Sequence, residues 1–426
     1  MAEVYLNRII KPVSESGATI SGTSSFTGIY QENISSNDPV YSIEQLGATY
    51  SNWDSSITKL DDLADMPSSY GTGASFSEDM VYLAVSHGSS PYITIYKRSG
   101  DTFTKLTNPG TLPTGHGQDV AFSNDGIYLA VAHATSPFIT IYKRSGDTFT
   151  KLANPTLPSS TCRGIKFSND GTYLAVGSDS TPYIHIYKRS GDTFTKLSNP
   201  GDLPAGIGWD VSFSGDATYL AVAHNTSPYI TIYKRSGDTF TKLTPPSATA
   251  GTAQKVSFSY DGIYLAVAHT TTPFVTIYKR SGDTFTKLSN PGDLPAGNAW
   301  GVSFSNDDGY LSVVHTTTPF ITTYKRSGDT FTKINNPGTL PHAAGTDVTF
   351  SSDDQYMVIA EESTPNGIVY KTTLTTETGM NKIYKSNNDI DTIFNNVLNM
   401  NAIGYAISSG VENDEKTITA IWKVVE

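Results

Sequence analysis

The sequence predicts an all-β chain, a seven-bladed β-propeller, and three observations carry the prediction. Tyr-Lys-Arg-Ser-Gly-Asp-Thr-Phe-Thr-Lys occurs six times, its first lysine at Lys97, Lys143, Lys188, Lys234, Lys279 and Lys325, with a degenerate seventh copy at Lys371. The steps are 45 or 46 residues, a period that fits one four-stranded blade. A tyrosine that leads an apolar run recurs at Tyr82, Tyr128, Tyr173, Tyr219, Tyr264, Tyr310 and Tyr356, which sets the count at seven.

One repeat reads as one blade. Asp119-Val120-Ala121-Phe122-Ser123 is a first strand closed by the Asn124-Asp125-Gly126 turn, and Tyr128 to His133 is a β-prone, apolar second strand. After the Pro137 corner, Phe138 to Lys143 alternates as a third strand, and Ser145-Gly146-Asp147 turns it into the polar outer strand Thr148 to Leu152. Proline falls only at corners, where no ladder donor is needed. The seventh blade has a third strand near Gly367 to Lys371 but no outer strand after it. Ser55 to Leu60 supplies one, because Lys59 precedes Phe76 by 17 residues, as Lys105 precedes Phe122. The N-terminal strand thus closes the ring and removes an open edge.

These boundaries divide the chain into residues 1–52, the propeller at 53–372, and residues 373–426. The two ends are expected to form one small mixed module, with a short helix over Asn388 to Asn401 and a hairpin from Ile403 to Val425. Charge separates along the same lines. Residues 1–66 carry 9 acidic and 3 basic side chains, residues 353–426 carry 11 and 5, and the stretch between them 20 and 21. A neutral propeller with acidic ends argues against nucleic-acid binding. The six Lys-Arg pairs read as solvated hairpins whose charges neutralise one another, or as a local basic ring. Cys162 is the lone cysteine, so no intrachain disulfide is available. No apolar run approaches the ~20 residues of a membrane helix, and Met1 to Tyr5 lacks the basic and apolar blocks of a signal peptide. A role outside the cell would then be reached by lysis or as part of a particle.

Over roughly residues 53–372 the chain resembles the WD40-like and YVTN-like propeller repeats, in the near-identical form found in bacteriophage virion and bacterial surface proteins. It departs from the WD40 pattern: the third strand ends Ile-Tyr-Lys where that family has Trp-Asp, and a Gly-His pair before the first strand occurs only at Gly115-His116. The family's hydrogen-bond tetrad therefore does not carry over. The C-terminal hairpin is similar to Gly-Tyr-Ala hairpins of phage head-decoration and tail proteins.

Comparison of the repeats locates the variation. The hairpin between third and fourth strands is invariant in six copies, whereas the segment entering the first strand changes in every blade. Tyr70, His116, Gln118, Arg163, Trp209, Gln254, Lys255, Trp300 and His342 lie in those segments. In a propeller these loops share a face with the second-to-third-strand loops, around the mouth of the channel. They form the candidate ligand-binding face, since binding sites are commonly built on loops carried by a rigid scaffold. Trp209 and Trp300 hold the same repeat position and suit a glycan or peptide, or else fill the gap between blades. His87, His133, His224, His269 and His315 recur five residues after the repeat tyrosine, with Ser178 and Glu361 in the other blades. Equivalent side chains of radiating blades are too far apart to share an ion at ~2 Å ligand distances, so hydrogen bonding at the strand end is expected and no metal or other cofactor is assigned. Asp125, Asp170 and Asp261 are explained by turns, and Glu361-Glu362 is the one acidic pair where other blades carry histidine.

The reading is a virion surface or accessory structural protein, as in capsid decoration or a tail attachment. Its propeller face would serve adhesion to a host-surface or environmental glycan or protein. The terminal module would bind other virion proteins, with no membrane insertion and no catalysis. A bacterial cell-surface adhesin is the alternative; a lactonase-like enzyme is a second, and would need convergent carboxylates or a metal.

Overall fold

A computed structural model describes residues 47–65, 69–364 and 366–378, with short strands at Ile10–Val13, Gly17–Ile20, Phe26–Thr27, Ala406–Glu412 and Glu415–Ile421. Every described element is a strand. The chain divides into two compact units, Asn52–Thr373 and a second drawn from Met1–Ser51 and Leu374–Glu426. In the second unit, Ala406–Glu412 pairs antiparallel with Glu415–Ile421, a hairpin within the segment 403–425 where one was expected. The expected helix over 388–401 lies outside the described residues.

The larger unit is a ring of seven four-stranded antiparallel sheets. Blade 2 illustrates the repeat, with strands Gly117–Phe122, Tyr128–His133, Ile139–Ser145 and Thr148–Lys151. Its second strand is buried throughout, whereas the fourth shows only Phe149 to the core. Apolar clusters lie between blades: Ala130, Ile139 and Ile141 of blade 2 pack on Ile165, Leu174 and Tyr187 of blade 3. Each blade alone has two apolar faces and no interior, so burial is obtained only by stacking.

Blade 7 is completed by the N-terminal strand Gly47–Lys59, which lies beside Gly367–Thr378. Leu60 N–H donates to Val369 O at 2.9 Å. Ile57 stands where the other blades place Phe149 or its counterparts, and it is only partly buried. The missing bulk comes from Trp53, which is fully buried and meets Phe350 edge-on at 5.4 Å. Blade 7 then closes on blade 1 through Thr346 Oγ1 donating to Gly71 O and Ala74 N–H donating to Asp347 Oδ2.

The Lys-Arg hairpins are not self-neutralising, and this corrects the sequence reading. At six of the seven blade boundaries the lysine reaches the hairpin aspartate of the following blade: Lys97 to Asp147, Lys143 to Asp192, Lys188 to Asp238, Lys234 to Asp283, Lys279 to Asp329 and, across the closure, Lys371 to Asp101; the hairpin that carries this aspartate is absent from the sequence of blade 7. The same aspartates accept the repeat tyrosine of the earlier blade, as Tyr82 OH donates to Asp147 and Tyr356 OH to Asp101. The arginine of the later blade lies over that tyrosine, Arg144 on Tyr82 at 4.7 Å and Arg98 on Tyr356 at 5.1 Å. An exposed ion pair adds little by itself, but here every member also fixes the spacing between two sheets.

Closure generates a prediction. Trp53→Ala removes a fully buried side chain and leaves a cavity between blades 6 and 7, so it is expected to cost about 3–5 kcal/mol in chemical denaturation. An unchanged unfolding midpoint would mean the ring does not depend on this strand.

Candidate functional site

Topology puts the loops that enter the first strands and the second-to-third-strand loops on one side, here the upper face, and the Lys-Arg hairpins on the lower. Every first strand starts with a register shift: Gly208 pairs with His224, then Asp210 with Ala223, so Trp209 is an unpaired bulge residue. The same shift occurs at Thr72, Gln118, Gln254, Trp300 and Thr346, and a longer one spans Arg163. A bulge re-aims its side chain away from the ladder. Five candidate residues therefore occupy equivalent bulges around the upper mouth.

Blades 1 to 4 carry a continuous arc. Tyr70, 44 % exposed, meets the His116 ring edge-on at 5.2 Å. Gln118 Nε2 lies 3.0 Å from His116 Nδ1, and Arg163 Nη1 3.5 Å from Gln118 Oε1. Arg163 donates through Nε and Nη2 to both oxygens of Asp179, at 2.7 and 2.9 Å, while its guanidinium sits 4.4 Å from the Trp209 ring centre. Burial, and secondarily the charge of Arg163, lower the pKa of His116. Trp209 and Trp300 are half-buried and belong to none of the apolar clusters flanking their blades; Trp209 packs instead against Arg163 of blade 3. Gln254 is half-buried at its bulge.

Lys255 is not on this face. Its side chain is 11 % exposed, and Nζ lies 3.5 Å from Asp119, 3.6 Å from Asp210 and 3.5 Å from Asp347, on blades 2, 4 and 7. The bulge explains the correction, because the extra residue turns the third strand position into the channel. That position carries Asp119, Asp210, Lys255 and Asp347 in four blades and glycine in the others. At Gly164 a Cβ would come within 2.5 Å of the Asp210 Cα, so glycine lets the acidic strand approach. Each aspartate also accepts a backbone N–H of the next blade, from Ile165, Val256 and Ala74. Together these groups plug the channel beside a cavity of about 60 Å³, which Lys166 also lines. The sequence signal was available in the repeat comparison, but period-2 reading does not survive a bulge.

The recurrent histidines do bond at the strand end. His87, His133, His224, His269 and His315 each place Nε2 2.9–3.0 Å from the threonine of the neighbouring third strand. Blade 3 exchanges the pair, with Ser178 in the histidine position and His185 in the threonine position. In blade 7 the threonine is Ile368, and Glu361 turns instead to the entering loop, accepting His342 N–H at 2.9 Å and facing His342 Nδ1 at 3.0 Å. His342 is thus a tether for the blade 7 loop, and burial raises the pKa of Glu361. Among the described residues no group of three or more His, Cys, Asp or Glu side chains could hold a metal ion. Asp125, Asp170 and Asp261 accept the serine hydroxyl two residues before them, as their turns require.

These environments fix a pH dependence. Burial lowers His87, His133, His185, His224, His269 and His315 from 6.5 to about 4. A histidine depressed in the fold contributes stability that is present above 6.5 and lost as pH falls toward 4. The hairpin aspartates Asp147 and Asp192, held low by Lys97 and Lys143, act in the same sense at lower pH. Asp210, pushed up to about 6 by burial, has the opposite sign: its contribution is present near pH 3.8 and lost as pH rises through 6. Asp347, Asp308 and Asp354, also raised by burial, share that sign. Within this window the histidines outnumber the raised carboxylates, so the melting temperature is expected to fall steadily from pH 7 to 4.5. Asp210→Asn should steepen that fall; a flat profile in both proteins would contradict the assignment.

No protein-family model and no curated protein matches this sequence. Among solved structures, the chain is similar in fold to "Kuenenia stuttgartiensis Hydrazine Synthase", with a TM-score of 0.57 and 16 % identity, over 73 % of this chain and 97 % of that one. At that identity the likeness shows the β-propeller fold and nothing about activity.

Proposed function

We propose that this protein is a recognition module of a virion surface, using the upper face of its propeller for adhesion and its terminal unit for attachment to other virion proteins. One observation carries the reading. The invariant arginines and aspartates of the lower hairpins have inter-blade partners that account for their identity, whereas Gln118, Arg163, Trp209, Gln254 and Trp300 share a backbone position and no common contact. Residues whose identity the repeating inter-blade contact does not dictate, gathered around one mouth, are the part of the scaffold free to be set by a ligand. The near-identity of the repeats, which resembles phage and bacterial surface propellers, favours an extracellular particle. A binding role is favoured over catalysis because the repeat carboxylates are engaged in turns, in the inter-blade hairpins or in the channel plug.

Two measurements test the proposal. Mass spectrometry of purified particles should detect the chain, and its absence from particles would favour the cell-surface adhesin. Trp209→Ala with Trp300→Ala should abolish binding to host cells while lowering the melting temperature little, since neither ring is in the core. Lys97, Lys143 and Lys188→Ala, on the lower face, should leave binding intact. Binding kept by the tryptophan variant and lost by the lysine variant would put the ligand on the opposite face.

A further inference from the structure

The two faces differ in charge. The lower face is ringed by lysine–aspartate pairs, with lysine and aspartate side chains nearly half exposed. The ring around the upper mouth, formed by the seven bulge residues and the seven second-to-third-strand loops, contains only Arg163, Asp179 and Glu362 as charged side chains. Arg163 and Asp179 saturate each other. The guanidinium that an acidic ligand would need is therefore already occupied, and one of its faces is covered by Trp209. Beneath the mouth, Lys255 is held by three aspartates, so it is not free to receive an anion either.

Hydroxyl groups fill the place of charge. Every second-to-third-strand loop carries two consecutive hydroxyl residues before its proline, from Ser89-Ser90-Pro91 to Ser363-Thr364-Pro365. The second of each pair is exposed in all seven blades, at Ser90, Ser136, Thr181, Ser227, Thr272, Thr318 and Thr364. The fold asks for a turn there, not for an exposed hydroxyl seven times over. Next to this ring stands Tyr70, an exposed aromatic whose orientation is fixed by His116.

We infer that the upper mouth binds an uncharged, hydroxyl-rich ligand, a neutral glycan, with Tyr70 as the platform on which one sugar ring stacks. The inference rests on the recognition role proposed above. A pyranose offers an apolar face to an aromatic ring and hydroxyls to the serine and threonine rim. A sialylated or sulfated glycan would lose hydration at its anionic group without finding a free cation.

The test is a glycan array of matched neutral, sialylated and sulfated structures probed with the full chain, followed by titration of the strongest hits. Neutral glycans should be bound, with Kd changing less than about twofold between 50 and 500 mM salt, because no ion pair forms across the contact. Tyr70→Ala should weaken binding about tenfold or more and Tyr70→Phe should retain it, both with unchanged melting temperature. A preference for anionic glycans, a steep salt dependence, or capture of a protein ligand that survives glycosidase treatment would overturn the inference and leave recognition by this face standing. Array binding unaffected by Tyr70→Ala and by the Trp209 and Trp300 double variant would overturn both. An array without any bound glycan would overturn the neutral-glycan assignment alone.

Discussion

Six of the seven boundaries in this ring are fastened by a hairpin aspartate that receives two groups from the blade before it, the hydroxyl of the repeat tyrosine and the ammonium of the repeat lysine. The arginine two residues after the next tyrosine, as in Tyr142-Lys143-Arg144, lies over the earlier tyrosine ring and completes the contact. Charge, hydrogen bonding and aromatic area are combined across one boundary, and the contact recurs in this form everywhere but between blades 6 and 7. A blade has no interior of its own, so the stability of every sheet is conditional on the next. The contact explains why the hairpin lysine, arginine and aspartate are kept, since changing one of them disturbs two blades at once.

A ring built this way must also close, and the closure uses the same chemistry with different residues. Blade 7 lacks the Asp-Thr-Phe-Thr-Lys strand, and its place is taken from the other end of the chain. Trp53 then supplies the aromatic bulk that Ile57 cannot. Lys371 and Tyr356 still find Asp101 of blade 1, so the boundary between the last and first blades is chemically equal to the five between blades 1 and 6.

The lower side carries the repeated contact that holds the ring, and the upper side shares that task at fewer points, as where Thr346 donates to Gly71 and Thr72 to Gly117. The bulge at the head of each first strand is the device that divides the two roles. It sends the third residue into the channel, where Asp119, Asp210, Asp347 and Lys255 tie the inner strands together, and it leaves the second residue at the mouth. Glu361 shows the same economy in blade 7, where a residue without its threonine partner anchors the loop through His342.

Much of this was legible in the sequence. The 45- or 46-residue period, the seven tyrosines and the matched spacing of Lys59 and Phe76 determine the fold, the blade count and the closing strand, because strand alternation and turn chemistry are local and repeat faithfully. The variable positions at the mouth were equally visible, from comparison of the repeats alone. What only the tertiary structure decided is pairing between blades: that Lys97 meets Asp147 rather than the aspartate of its own hairpin, that Lys255 turns inward, and that Arg163 is spent on Asp179 and Trp209. Residues some 50 positions apart are brought together by the rotation from one sheet to the next. A bulge reverses which face a side chain takes, and neither effect leaves a mark in the local pattern from which strands are read.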